Sequence, residues 1–210
     1  MRRHLIIAVT VAGLLWFYMF SPWTAGLTNF WLTMTASALI LTTLALVFSR
    51  DKQPRIEKPL WQVLYGIGIA IFLWGAFWIG DKASAWLFDF ARPEVDSIYS
   101  MKTGMPPAVI AALLLVVIGP AEEFFWRGYV QRSMVKLLEG RKFAKDIAFA
   151  VTTATYALVH IWSFNFMLVM AALVAGLVWG FLYRLNPKLL PALILSHALW
   201  DALVFVWMPI

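Results

Sequence analysis

Long apolar runs separated by short polar breaks dominate this chain. At about 20 apolar residues for each bilayer crossing, they predict seven helices, near 5–21, 27–48, 60–80, 108–138, 146–163, 166–184 and 189–208. The breaks carry residues that resist helix continuation. SPWTAG follows the first helix, SRDKQPRIEKP the second, GRKFAKD the fourth, SFNF the fifth and NPKLLP the sixth. A longer polar stretch, Asp81 to Pro107, follows the third.

Composition turns this pattern into a class. The 210 residues are 62% hydrophobic and 13% charged, with a mean hydropathy of +0.79. A soluble domain carries about 25% charged residues. In hydrocarbon only helices and closed barrels satisfy their backbone, and barrel strands read as alternating segments of roughly ten residues. The runs here are continuous. The expected fold class is all-α, a polytopic membrane helix bundle of about seven transmembrane helices, with membrane lipids as its first partners.

The absence of cysteine excludes disulfides, thiolate zinc sites and cysteine nucleophiles. The formal charge of +6 does not point to nucleic acid, because Lys and Arg collect in cytoplasmic loops. With the N-terminus inside, thirteen cationic residues fall in inner segments: Arg2, Arg3, Arg50, Lys52, Arg55, Lys58, Arg132, Lys136, Arg141, Lys142, Lys145, Arg184 and Lys188. Three, Lys82, Arg92 and Lys102, fall outside. The expected topology is N-in, C-out, in the cell (inner or plasma) membrane. The start, MRRHLIIAVTVAGLLWFYMF, resembles a signal peptide; with six further spans after it, it is expected to be a retained first helix.

Ionisable groups at mid-membrane cost about 3 kcal/mol or more each, so they mark function by default. Helices one to three have none in their apolar cores. Helices four, five and seven carry Glu122, Glu123, Arg127, His160, His197 and Asp201. The chain therefore divides into accessory helices with a polar outer loop, 1–107, and a four-helix core, 108–210. In VVIGPAEEFFWRGYV, Glu123 and Arg127 are four apart with the acid first, the favourable order for a helical ion pair. Glu122 lies about 100° round the helix from Glu123 and stays free for chemistry. Gly119-Pro120 removes a backbone bond just before it and should kink or loosen the helix there. His197 and Asp201, in SHALWDAL, share one helix face; His160 ends YALVH. A carboxylate and two imidazoles could position water, polarise a carbonyl and stabilise an oxyanion.

These motifs resemble those of the CPBP family, the CAAX-protease and bacteriocin-processing (Abi) intramembrane endopeptidases. EEFFWR fits the EExxxR signature; His160 and HALWD look like the second and third motifs, in order, within roughly residues 108–208. Two positions depart from the family. Tyr156 replaces the usual Phe four before the second-motif His, adding a hydroxyl. Asp201 replaces the common Asn, and an ionised Asp cannot donate to an oxyanion; it must be protonated, orient His197 or bind a metal. The resemblance implies Glu122 as general base, with His160 helping to hold water and His197 and Asp201 facing the scissile carbonyl. Glu123 and Arg127 would support the site as an ion pair. No cofactor is needed for that chemistry. The alternative is zinc held by Glu122, His160, His197 and Asp201, because two His and one carboxylate form a catalytic zinc site.

By helix count His160 sits near the outer end of its helix, and the uncharged SFNF hairpin is expected to stop below the surface and bring it inward. Trp86, Phe88 and Phe90 in the 81–107 loop read as an interfacial anchor. The expected substrate is a membrane-bound peptide or protein. Two rivals remain. A proton-coupled transporter needs paired halves with broken helices in both. A non-catalytic protein of bacteriocin-immunity type would keep the motifs without the reaction.

Overall fold

A computed structural model of the protein describes residues 1–49 and 56–210. Arg50, Lys52 and Arg55, which entered the charge comparison, lie outside the described residues. The described residues form eight helices: α1 Arg2–Phe20, α2 Phe30–Phe48, α3 Pro59–Leu87, α4 Ala91–Ser100, α5 Pro107–Leu137, α6 Ala144–Leu158, α7 Phe166–Leu185 and α8 Pro187–Trp207. Six of them, all but α4 and α6, are long and apolar enough to cross a membrane. The protein is an all-α polytopic bundle. Each of the seven expected helices is present, although α6 has only 15 residues before a tighter 3₁₀ turn, Val159–Ser163, carries the chain on. The expected polar loop 81–107 is itself largely helical, because α3 runs on to Leu87 and α4 follows.

Local chemistry accounts for the ends of these elements. Asn29 Oδ1 accepts from the backbone N–H groups of Trp31 and Leu32, at 3.0 and 3.2 Å, capping α2. Asn165 Oδ1 accepts from Leu168 N at 2.8 Å and caps α7. Proline in the first turn of α3, α5 and α8 forfeits only an N–H that has no helical partner there.

Two apolar clusters form the interior. One joins α1, α2 and α5 around Trp16, Trp31, Ile118 and Phe125. The other joins α3, α7 and α8 around Leu73, Trp179 and Leu193. Phe205 packs against both. Outward faces are apolar as well: Ile71 and Phe72 on α3 are more than half exposed, as suits a surface that meets lipid. The α4 helix is pinned from several sides. Met167 N donates to Glu94 Oε2 and Asn165 Nδ2 to Glu94 O, both at 2.8 Å. Tyr99 Oη donates to Val204 O at 2.9 Å, and burial, the larger influence on it, raises the phenol above its usual pKa.

Candidate active site

The site begins with an irregularity in α5. Two π-helical stretches, Leu114–Ile118 and Phe124–Gln131, flank the α-helical turn Gly119–Glu123. Pro120 has no N–H to give to the preceding turn and its ring crowds that turn; the wider π winding just before it takes up the mismatch. The loosening expected from Gly119-Pro120 is thus present as π turns, a device that recurs at functional sites. Gly119 has a second role. A Cβ there would meet Ala198 Cα at 2.7 Å, so only glycine lets α8 approach this closely. That approach brings His197 and Asp201 up to the two glutamates.

Glu123 and Arg127 are fully buried and bonded, Arg127 Nη1 to Glu123 Oε2 at 3.0 Å, as their spacing predicts. The same oxygen has a second partner that spacing does not show: His197 Nδ1 lies 3.1 Å from it. A carboxylate only accepts, so Nδ1 carries the hydrogen and Nε2 is turned away, toward Asp201 Oδ2 at 3.6 Å. The His197 ring stacks on Trp179, with centroids 4.0 Å apart and planes at 17°. Arg127 is held further by Gly176 O, 3.2 Å from Nη2, and lies over the Tyr156 ring. Glu123 is therefore a bridge from Arg127 to His197 as well as a salt-bridge partner.

Glu122 points elsewhere. It is buried, and among the described residues its one hydrogen bond comes from the Tyr156 hydroxyl at 3.4 Å, well beyond the 2.5–2.7 Å typical of O–H donation to a carboxylate. His160 leaves α6 in the 3₁₀ turn and is 7% exposed. Both its ring nitrogens are engaged. Trp16 Nε1 donates to His160 Nε2 at 3.0 Å, and Nδ1 lies 2.8 Å from Tyr156 O. A carbonyl accepts and an indole N–H donates, so His160 is neutral with its hydrogen on Nδ1. Trp16 was missed in the sequence because an uncharged residue in an apolar helix gives no cost signal. The signal available was its N–H, which needs a partner when buried.

Glu122, His160, His197 and Asp201 border one cavity of about 130 Å³, together with Tyr156. The expected site residues are thus brought to one place from α5, α8 and the turn after α6. A second, almost wholly apolar cavity of about 330 Å³ adjoins it and shares Ile98, Ala171, Trp200 and Phe205 with the first. For zinc the fit is poor as the side chains stand. Among the described residues no three His, Asp or Glu groups converge as metal ligands, and both His160 nitrogens have other partners.

A family model described as "Type II CAAX prenyl endopeptidase Rce1-like" matches residues 104–203. It spans all three motifs, and the resemblance read from those motifs is borne out there. What the chain is similar to is a protease of the membrane. No curated protein and no solved structure matches the chain.

Proposed function

We propose that the protein is an intramembrane endopeptidase in which Glu122 is the general base. Residues 108–210 form the catalytic core and 1–107 the accessory half, in the cell membrane with the N-terminus inside. The observation that carries this reading is the division of labour between adjacent glutamates. Glu123 is committed to Arg127 and His197, whereas Glu122 faces the cavity with, among the described residues, only the long Tyr156 hydrogen bond. Glu122 takes a proton from water as the water oxygen attacks the amide carbon. When the tetrahedral species collapses, the C–N bond breaks and Glu122 returns that proton to the amine. His197, oriented by Glu123 and Asp201, faces the carbonyl, and His160 forms the wall beside the water. The reading is metal-free, consistent with the engaged nitrogens of His160.

The substrate is a membrane-associated peptide. The apolar cavity next to the site suits an apolar tail such as the prenyl group named in the family's description. The test is Glu122→Gln in detergent micelles, against two probes: a farnesylated CAAX-type peptide with a fluorophore–quencher pair, and dye-labelled casein. Cleavage should fall at least about 100-fold, with protein yield unchanged and with no effect of 1,10-phenanthroline on the wild type. Full cleavage by the variant would sink the proposal. So would phenanthroline inhibition reversed by zinc, for the metal-free part.

A further inference from the structure

Acyl transfer needs a donor aimed at the carbonyl oxygen as charge develops on it, and the cavity has few to give. Glu122 and Asp201 only accept when ionised. The His160 Nδ1 hydrogen goes to Tyr156 O, and its Nε2 takes the Trp16 N–H. His197 donates through Nδ1 to Glu123, and any proton on Nε2 faces the Asp201 carboxylate. Trp31 Nε1 donates to Met101 O at 2.9 Å. Trp200 also borders the cavity, but its Nε1 is buried in the protein without a partner. Among the described residues this leaves two such hydrogens, the Trp200 N–H, which has no exposure, and that of the Tyr156 hydroxyl, held only by a long bond 3.4 Å from Glu122 Oε2.

Resting on the reading of Glu122 as base, we infer that Tyr156 is a further catalytic residue, the hydrogen-bond donor to the oxyanion. The site makes this transfer of partner natural. Before attack the hydroxyl faces the ionised Glu122. As water attacks, one of its protons passes to Glu122 and the carbonyl π pair moves onto oxygen. Negative charge leaves the carboxylate and appears on the substrate, and the hydroxyl follows it without giving up its proton. On collapse the C=O re-forms, the amine leaves with the proton from Glu122, and the hydroxyl returns. The Tyr156 ring is fixed for this by edge contacts with the Trp126 and His160 rings, both with centroids 5.4 Å away, and by the Arg127 guanidinium, 4.8 Å from the ring centre. A tyrosine donor also answers what an acidic residue at 201 lacks. The carboxylate of Asp201 on the same cavity wall cannot donate, and the phenol can.

The test uses Tyr156→Phe, which keeps the ring against Arg127, and the double variant Tyr156→Phe with Asp201→Asn, whose amide restores a donor to the cavity. The assay uses the two probes above, with Glu122→Gln alongside. Tyr156→Phe should lower kcat about 100-fold, the loss expected for one oxyanion donor, with KM and resistance to SDS unfolding unchanged. The double variant should recover about tenfold of that loss. Tyr156→Phe at wild-type kcat while Glu122→Gln is inactive overturns the donor role and leaves Glu122 standing. A loss that the double variant does not recover also overturns it, and assigns Tyr156 to holding Glu122 in place. Activity in Glu122→Gln, or a wild type that cuts neither probe, overturns the base reading beneath it.

Discussion

Arg127 and Arg92 each pair with a carboxylate four residues away, in opposite surroundings. The Arg127 and Glu123 side chains have no exposure. Arg92 is 42% exposed; its partner Asp96 on α4 is 68% exposed, and it also reaches Asp81 at 2.6 Å. Around Arg92 the partners are interchangeable, because Asp81 has Lys82 at 3.0 Å as well and water screens Arg92, Lys82 and Asp96. Around Arg127 nothing is interchangeable. One oxygen, Glu123 Oε2, serves both Arg127 and His197, while Glu123 Oε1 and Arg127 Nε have no partner among the described residues. The same two kinds of side chain fasten a surface segment in one place and set the orientation of the buried His197 imidazole in the other.

The strongest way to break this comparison is Arg127→Met. It leaves Glu123 buried and uncompensated, and removing one member of such a pair costs about 3–5 kcal/mol. SDS unfolding in mixed micelles should show that loss together with loss of cleavage. Arg127→Met combined with Glu123→Gln should be more stable than Arg127→Met alone, because the orphaned charge is then gone. If the single variant costs no more than the corresponding change at Arg92, the two clusters are alike and the contrast falls.

What the sequence made legible follows the reach of each signal. Long apolar runs were enough for the bundle, and four-residue spacings for Glu123–Arg127 and for His197 facing Asp201 along one helix. Those signals live within single helices. The Glu123–His197 bond depends on Gly119 admitting α8 to α5, a contact across 74 residues that no periodicity encodes. The ten-residue α4 escaped because ARPEVDSIYS is too short and too polar for a filter tuned to bilayer crossings. Tyr156 was legible as a residue but not as chemistry. Its ring looked like a simple exchange for Phe, whereas a buried hydroxyl has to find an acceptor, and here that acceptor is Glu122.

Between the two arginine clusters in expected effect lies Trp16→Phe, where the lost contact is buried but uncharged. The indole N–H is replaced by C–H, and His160 Nε2 becomes a buried acceptor without its donor. Such an orphan costs about 1–3 kcal/mol, less than an unpaired buried charge. With ¹⁵N-labelled histidine, the His160 Nε2 resonance should move while that of His197 stays. An unmoved His160 resonance would mean that α1 does not complete this side of the cavity.

Arg92→Met should do least. Asp81 keeps Lys82, Asp96 is open to water, and exposed pairs are worth about 0–1 kcal/mol. What remains of the effect should shrink as salt rises, since exposed charges are screened over about 8 Å at physiological ionic strength. The Arg127 cluster, shut away from ions, should show no such dependence. Measuring both variants at low and high salt therefore separates them by a criterion other than size. If the Arg92 effect persists undiminished at high salt, Asp81, whose side chain is only 3% exposed, behaves as a buried charge. The α3–α4 corner would then belong with the Arg127 cluster, as a second place where one arginine holds the fold.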